Sequence, residues 1–546
     1  MASATPRLHG LQDRVDARLK AMRDQDVVRR IWRYDHTVWK PDPTEITSPG
    51  RLGWLTVIEP MLEEADAFAR FADEVAADGF QMAVLLGMGG SSLAPEVFQR
   101  TYGTRAGRLD LRVLDTTDPK EVLALARAID LKRALFIVAS KSGSTIETLS
   151  HLAFFWARVP DGRSFIAITD AGTPLEALAR ERGFRRVFLN PPQVGGRYSA
   201  LTYFGLVPAA LIGVDLGQLL GRAREMLRAC RDGGAGDENP GAWLGAVIGE
   251  ASLAGRDKLT LLLPDAISAL GDWIEQLVAE STGKEGRGIL PVIGEALGDP
   301  GVYGEDRLFV SMGDHPGLDA LAAAGQPVVR LPYSGPYQLG AELFRWEFAT
   351  AVAGHVLNVN PFEQPDVQAA KDATARVLAA DAGPRPEVPP ELRPEPVEGA
   401  LEGPAEGPEP GSAPIASLAA LVRPGDYIAI QAYVPREPAV DQELQDLRRR
   451  LRDRFRVATT LGYGPRYLHS TGQLHKGGPP TGVFLQIVSD DREDASVPGK
   501  PYSFGALKQA QALGDRQALA SLGRRLITVK AGADPAAVVR RLREEI

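Results

Sequence analysis

Cysteine is almost absent from this chain: Cys230 is the only one in 546 residues. No disulfide can form within the chain and no cysteine-built zinc site is available, which favours a reducing compartment, the cytoplasm. Long apolar runs are missing too. The longest, around FGLVPAALIGV, is too short to span a bilayer, and the N-terminal MASATPRLHGLQDRVDARLKAMRD mixes both charge signs without the apolar stretch of a signal peptide. No membrane partner is expected. A basic stripe is also lacking, and the formal net charge of -8 argues against a nucleic-acid surface, because nothing stands ready to neutralise phosphates along a duplex. An anionic substrate therefore needs a local positive pocket.

What is present is an ordinary globular composition, 44% hydrophobic and 24% charged, long enough for two to four domains. Helical periodicity marks residues 11 to 40 and 61 to 78. Apolar runs at 81 to 87, 111 to 115, 134 to 140 and 164 to 170 then alternate with helix-length segments, the pattern of a parallel sheet covered on both faces. After the break DGGAGDENPG, a second set has KLTLLLP, RLFVSMG and PVVRLPY as strands. A third, smaller set uses DYIAIQAYV, GVFLQIVS and RLITVKAG around the charged helix DQELQDLRRRLRDRFR. The expected fold is α/β, with two doubly wound parallel-sheet domains and a small C-terminal α/β domain. The expected boundaries are an N-terminal helical segment at 1–60, domains at 61–231 and 232–380, a proline- and glutamate-rich linker at 381–414, and the last domain at 415–546.

Two loops carry chemistry. In ALFIVASKSGSTIETL a strand ends at Ala139 and a helix follows a loop of Ser140, Lys141, Ser142, Ser144 and Thr145. Hydroxyls, an ammonium and a helix N-terminus in one place suit a phosphate monoester. The alternative is helix capping alone, which requires one hydroxyl where this loop offers several. The earlier LLGMGGSSLAPEVF repeats the arrangement, with Gly89 and Gly90 allowing close backbone approach and Ser91 and Ser92 opening a helix. A dinucleotide fingerprint would place its third glycine at position 92, which is serine, and neither loop matches a Walker sequence. No cofactor and no metal are expected. Glu147, in the first helical turn after the second loop, reads as support for that helix end.

GMGGSS, SKSGSTIET, VGGRYS (194 to 199), AESTGKEGRGILPV (279 to 292) and NPFEQPDVQAAK (360 to 371) stand in the order seen in phosphoglucose isomerases, which the chain resembles from about residue 80 to 380. That family is built from two sugar-isomerase (SIS) domains. The C-terminal third resembles the tail of bacterial proteins in which transaldolase and phosphoglucose isomerase are fused, with no transaldolase segment expected ahead of it here. The resemblance implies reversible isomerisation of glucose 6-phosphate and fructose 6-phosphate through a cis-enediol(ate), a step in glycolysis and gluconeogenesis. Such chemistry needs a carboxylate base and a cation near the developing oxyanion. By resemblance Glu280 is the proton-shuttling base, Arg197 stabilises the enediolate, Gln276 binds substrate, and Gln364 and Lys371 hold the sugar near its ring oxygen. Considered singly, Glu280 also reads as a solvated helix end and Arg197 as one half of an ion pair.

The chain departs from the family at the histidine that assists ring opening. The corresponding stretch is short, and its one histidine, His315, sits in the turn-like GDHPG and receives no assignment. Attention moves to YGPRYLHSTGQLHKGGPP, where Arg466, His469, His475 and Lys476 concentrate positive charge at a spacing that fits no strong zinc pattern. This loop is expected to fold over the sugar site and supply the absent acid/base or a phosphate contact, with His469 ahead of His475. The alternative is a packed histidine pair on a structured loop. Family members are commonly homodimers that complete each site with a partner's residue, a task the third domain can perform from the same chain. Alternative functions are a dual phosphoglucose/phosphomannose isomerase and a non-catalytic sugar-phosphate sensor. The sensor has no use for Glu280, Arg197 and Lys371 together.

Overall fold

The computed structural model describes residues 5–42, 50–234, 236, 238–381 and 414–546. The expected linker at 381–414 lies, apart from its end residues, outside them. Three sheets are present among the described residues, and the first strand belongs to the second of these. β1 (Thr5–Arg7) pairs antiparallel with an edge of that sheet, so the N-terminal segment is not helical throughout. The first sheet contains β2 (Met82–Gly87), β3 (Asp110–Leu114), β4 (Ala134–Ala139), β5 (Phe165–Thr169) and β6 (Arg186–Leu189), all parallel in the order β3-β2-β4-β5-β6. Every residue of β4 is buried, as expected where helices cover both faces. Because β3 lies on one side of β2 and β4 on the other, the connections part between β2 and β4. A crevice opens there beyond the carboxyl ends of the strands, and the two hydroxyl-rich loops leave from Gly87 and Ala139, which are paired in register.

The second sheet, in the order β1-β10-β9-β7-β8, consists of β7 (Lys258–Leu262), β8 (Leu290–Ile293), β9 (Arg307–Met312) and β10 (Val328–Leu331), with β1 its only antiparallel member among the described residues. After β7 the Leu270–Thr282 helix buries Trp273, Ile274, Leu277 and Val278 and turns Gln276 and Glu280 towards the first sheet's loops. The third sheet has the order β12-β11-β13-β14, formed by β11 (Tyr427–Tyr433), β12 (Ala458–Tyr463), β13 (Gly482–Ser489) and β14 (Arg525–Gly532), all parallel.

The sequence reading did not anticipate β1, β6, β8 and β12, and each of the four lies at a sheet edge. Edges tolerate proline and polar residues. Pro6 and Pro291 sit within β1 and β8, while β12 reads ATTLGY.

The third unit shares apolar cores with both others. Phe504, fully buried, packs with Ala495 and Val497 among Phe136, Phe154 and Phe155 of the first unit. Tyr427, Leu474 and Phe484 pack with Ala279, Leu290 and Val292 of the second. Each large side chain so buried contributes about 1.5–3 kcal/mol.

Candidate functional site

The loop after β4 leads into the Ile146–Trp156 helix. Thr145 occupies the N-cap position but its side chain caps nothing; its hydroxyl lies 2.9 Å from that of Ser140. Ser142 accepts hydrogen bonds from the Ser144 amide and hydroxyl at 3.3 and 3.0 Å. Ser142, Ser144 and Thr145 line one wall of a cavity of about 420 Å3. Ser140 is buried beneath them. Lys141 departs from expectation: its ammonium is paired with Asp170 and donates to the Pro192 carbonyl at 3.3 Å, so it is engaged within the protein, unlike the hydroxyls of Ser142, Ser144 and Thr145 that line the cavity.

The glycines of the first loop admit protein backbone where ligand approach was expected. A Cβ on Gly90 would stand 2.1 Å from the Gly196 carbonyl oxygen, and one on Gly89, at φ +54°, would meet Gln276 Nε2 at 2.7 Å and His469 at 3.1 Å. Gly90 thereby seats the loop that carries Arg197, and Gly89 lies where the Glu280 helix meets the His469 segment. Ser91 is buried in the intervening turn. Ser92 donates to the Gly89 carbonyl at 3.2 Å and to Asp115 at 3.3 Å.

Glu280, Arg197, Gln276 and Gln364 meet. Arg197 Nη1 lies 3.2 Å from Glu280 Oε1, while Nη2 donates to Gln364 Oε1 at 3.0 Å and to the Glu363 carbonyl at 3.3 Å. Gln276 Nε2 donates to Glu280 Oε2 at 3.2 Å. Two buried polar atoms of this group, Arg197 Nη1 and Gln276 Oε1, have no hydrogen-bond partner. Such atoms are rare in interiors and suit a site that a ligand completes. Lys284, two residues beyond the helix, fastens the segment bearing Gln364 by donating to the carbonyls of Asn360, at 2.7 Å, and Glu363. Burial, with the nearby Arg197 charge, pushes its ammonium down to about 7. The sequence reading passed over Lys284 although it stands inside a quoted motif.

The third unit supplies a further wall. The segment read as one loop contains two short helices, Arg466–His469 and Gly472–Gly477. His469 reaches the site: its Nε2 is 3.0 Å from Glu147 Oε1, and its backbone carbonyl accepts from Gln276 at 2.7 Å. Gln511 donates to the same Glu147 oxygen at 2.6 Å. Burial opposes ionisation of Glu147, but the charge and hydrogen bond of His469 outweigh it and hold the carboxyl below its usual value. Glu147 is therefore more than helix support; it fixes one ring nitrogen of His469. His475 does not reach the cavity. Its ring packs against Tyr427, Tyr467 and Phe484 within the third unit, with Nδ1 3.4 Å from Gln431, because the Gly472–Gly477 helix turns residue 475 inward. Burial pushes its pKa well below the ordinary histidine value. Lys476 lines the cavity but is bound to Asp515 at 2.6 Å.

Glu147, His469, Gln511 and the exposed Lys371 line the same cavity as the hydroxyl loop. Glu280 and Arg197 adjoin it through Gln276, which His469 contacts. A larger cavity of about 630 Å3 is lined by His315 and Arg466 but by none of the hydroxyl-loop residues. Among the described residues no cluster of three or more His, Cys, Asp or Glu side chains is placed to hold a metal ion, and no helix is long and apolar enough to cross a membrane.

Two sheets of like connectivity, with hydroxyl-rich loops at a carboxyl-end crevice beside a glutamate, an arginine and a lysine, define a protein of the sugar-isomerase class. A family model described as phosphoglucose isomerase matches residues 73–289. The glucose-6-phosphate isomerase of Carboxydothermus hydrogenoformans is 30% identical over 403 residues, covering 61% of this chain and 86% of that protein. That of Thermus thermophilus is 31% identical over 363 residues, covering 54% and 83%. Among solved structures, a hypothetical protein from Thermus thermophilus superposes with a TM-score of 0.58 at 27% identity, covering 69% of this chain and all of that one. A Chlamydia trachomatis glucose-6-phosphate isomerase shares the fold with a TM-score of 0.59 at 18% identity, covering 69% and 88%. The chain belongs to the phosphoglucose isomerase family and is a sugar-phosphate isomerase.

Proposed function

We propose that the protein interconverts glucose 6-phosphate and fructose 6-phosphate through a cis-enediol(ate), with Glu280 as the base. The observation that carries this reading is the pairing of Glu280 with Arg197, whose Nη1 stands 3.2 Å from the carboxylate and lacks an aligned acceptor. Glu280 takes the C2 proton of the open-chain aldose, the electron pair moves to the C1 oxygen as the enediolate forms, and Arg197 meets the developing charge. Delivery of the same proton to C1, with transfer of the hydroxyl proton from O2 to O1, yields the ketose. Gln276 and Gln364 hold Glu280 and Arg197 in place. The phosphate binds at Ser142, Ser144, Thr145 and the helix end behind them, with Lys371 facing the same cavity. His469, oriented by Glu147, exchanges a proton with the ring oxygen. The first two sheets correspond to the two SIS domains.

The test follows glucose 6-phosphate formation from fructose 6-phosphate in wild type and Glu280→Gln, with mannose 6-phosphate assayed alongside. Turnover is expected in the wild type, and a loss of at least a hundredfold in the variant, given the usual contribution of a positioned base. Binding without turnover in the wild type identifies a sensor, equal turnover in the variant refutes the assignment of the base, and mannose 6-phosphate formation broadens the substrate range.

A further inference from the structure

His469 arrives from a unit distant in sequence, yet its register against the Glu280 helix is tightly set. That helix carries Asp272, Gln276 and Glu280 at four-residue intervals, hence along one face. Asp272 takes Arg466 Nη2 at 3.1 Å, Gln276 donates to the His469 carbonyl at 2.7 Å, and Glu280 faces Arg197 at 3.2 Å. Glu275, on the adjoining face, accepts from Ser470 at 2.8 Å. Residues 466, 469 and 470 are thus each gripped by the helix that bears the base, at positions 272, 276 and 275. The other guanidinium nitrogen of Arg466 reaches the first unit, standing 2.9 Å from Asp115 Oδ2 and 2.5 Å from Glu96 Oε2. Asp115 is also 3.5 Å from Arg436. The side chain of Arg466 is 13% exposed and touches carboxylates from both of the other units.

We propose that Arg466 is a positioning residue, which carries His469 to the sugar site by fastening their shared helical turn to the first unit and to the Glu280 helix at once. Its planar fork is the reason an arginine stands here, since a lysine ammonium cannot engage opposed carboxylates along two fixed directions. Arg466 does not line the hydroxyl-loop cavity. Its loss therefore acts on the ring-opening step and spares phosphate binding. This inference rests on the role of His469 proposed above.

The test compares Arg466→Met, Arg466→Lys, His469→Ala and the double variant His469→Ala/Arg466→Met, each checked for folding by thermal melting. Arg466→Met is expected to lower kcat with fructose 6-phosphate at least tenfold while KM stays within about threefold, and Arg466→Lys to recover part of the loss. The double variant should be no slower than His469→Ala, because a residue acting through another adds nothing once that other is gone. Exchange between the α and β anomers of glucose 6-phosphate, read by exchange NMR in a Glu280→Gln background, requires ring opening without isomerisation and should fall in step with kcat. Multiplicative losses in the double variant, or wild-type kcat in Arg466→Met, overturn the inference. Wild-type turnover in His469→Ala instead overturns the role of His469 itself. If Arg466→Met does not fold, Asp272→Asn loosens the same clamp at its 40% exposed end and carries the comparison with a smaller expected loss; unchanged kcat there overturns the inference equally.

Discussion

Replacing Glu147 by glutamine is the most searching perturbation of the histidine arrangement, because it keeps shape and removes charge. Glu147 is 3% exposed, and one of its oxygens receives both His469, at 3.0 Å, and Gln511, at 2.6 Å. The glutamine oxygen can accept the same two bonds. What disappears is the carboxylate charge, and with it the strengthening of the bond to the imidazole. A hydrogen bond to a charged partner exceeds a neutral one by about 1–2 kcal/mol, and at about 1.4 kcal/mol per decade this predicts a kcat roughly 5- to 30-fold below wild type. KM should change little, since the hydroxyl loop is untouched. Stability should also change little, because the variant loses the burial cost of the charge together with its pairing. The assay couples glucose 6-phosphate formation to a dehydrogenase, with kcat and KM from saturation curves and melting temperature as the control. A kcat within twofold of wild type in a normally folded variant would falsify the claim that the Glu147 charge orients a working histidine.

Three further outcomes follow from individual residues. Burial, and then the neighbouring Asp272, push Glu275 up to about 7, so the folded protein holds a proton that the unfolded chain releases near 4.5. The associated stability is full below that value and is lost as pH rises through about 7, by roughly 3 kcal/mol at most; melting curves between pH 5 and 8 should show wild type losing ground to Glu275→Gln, and a constant gap would contradict this. Gly90→Ala drives a Cβ to 2.1 Å from a backbone oxygen, so a loss of about 1–3 kcal/mol or more in unfolding free energy and a fall in kcat are expected, and a variant that melts and turns over normally would show that the Arg197 loop is not seated there. His475→Phe, at a buried ring whose Nε2 has no partner, should leave kcat unchanged. A loss comparable to that of His469→Ala would return His475 to the sugar site.

Legibility from sequence divided along physical lines. Central strands such as ALFIVA and GVFLQIVS were visible because burial on both faces demands continuous apolar runs. The edge strands β6, β8 and β12 were not, since an edge imposes no such demand. Within the site, residues carried on local motifs stood out: Glu280 and Gln276 on one helix, Arg197 in GGRYS, and the SKSGST hydroxyls. The pairing of Lys141 was not legible because Asp170, its partner, is 29 residues away and nothing local announces it. Gln511 was invisible for the same reason; it sits in an unremarkable helix and acquires meaning only by reaching Glu147 across 364 residues. His475 was read with His469 as part of one cluster of positive charge, and nothing local separates the histidine that reaches the cavity from the one that packs inward. The following helical turn, which aims it at Tyr467 and Phe484, is set by tertiary packing.

The way the third unit is attached bears on how the site works. Lys508, fully buried, donates to Asp118 at 2.9 Å, and Thr117 donates to Gln511 at 2.8 Å. Arg436 and Arg466 meet Asp115, which burial alone would push towards neutrality and which the two guanidinium charges instead hold ionised. Were the unit to swing away, Asp115 and Asp118 would lose the cations that face them, and Phe504 would leave the core it shares with Phe154. Undocking would also return to water the apolar side chains shared across these faces, Phe504, Tyr427 and Phe484 among them, at about 1.5–3 kcal/mol for each large one. On the function proposed above, the third unit is on these grounds a fixed wall of the site, and substrate enters through the cavity beside Lys371 and the hydroxyl loop without displacing it. Lys371 is exposed and Ser142 and Ser144 lie near solvent; on the function proposed above, the phosphate end of the substrate sits at the mouth and its carbonyl end faces inward, towards Gln276 and Glu280.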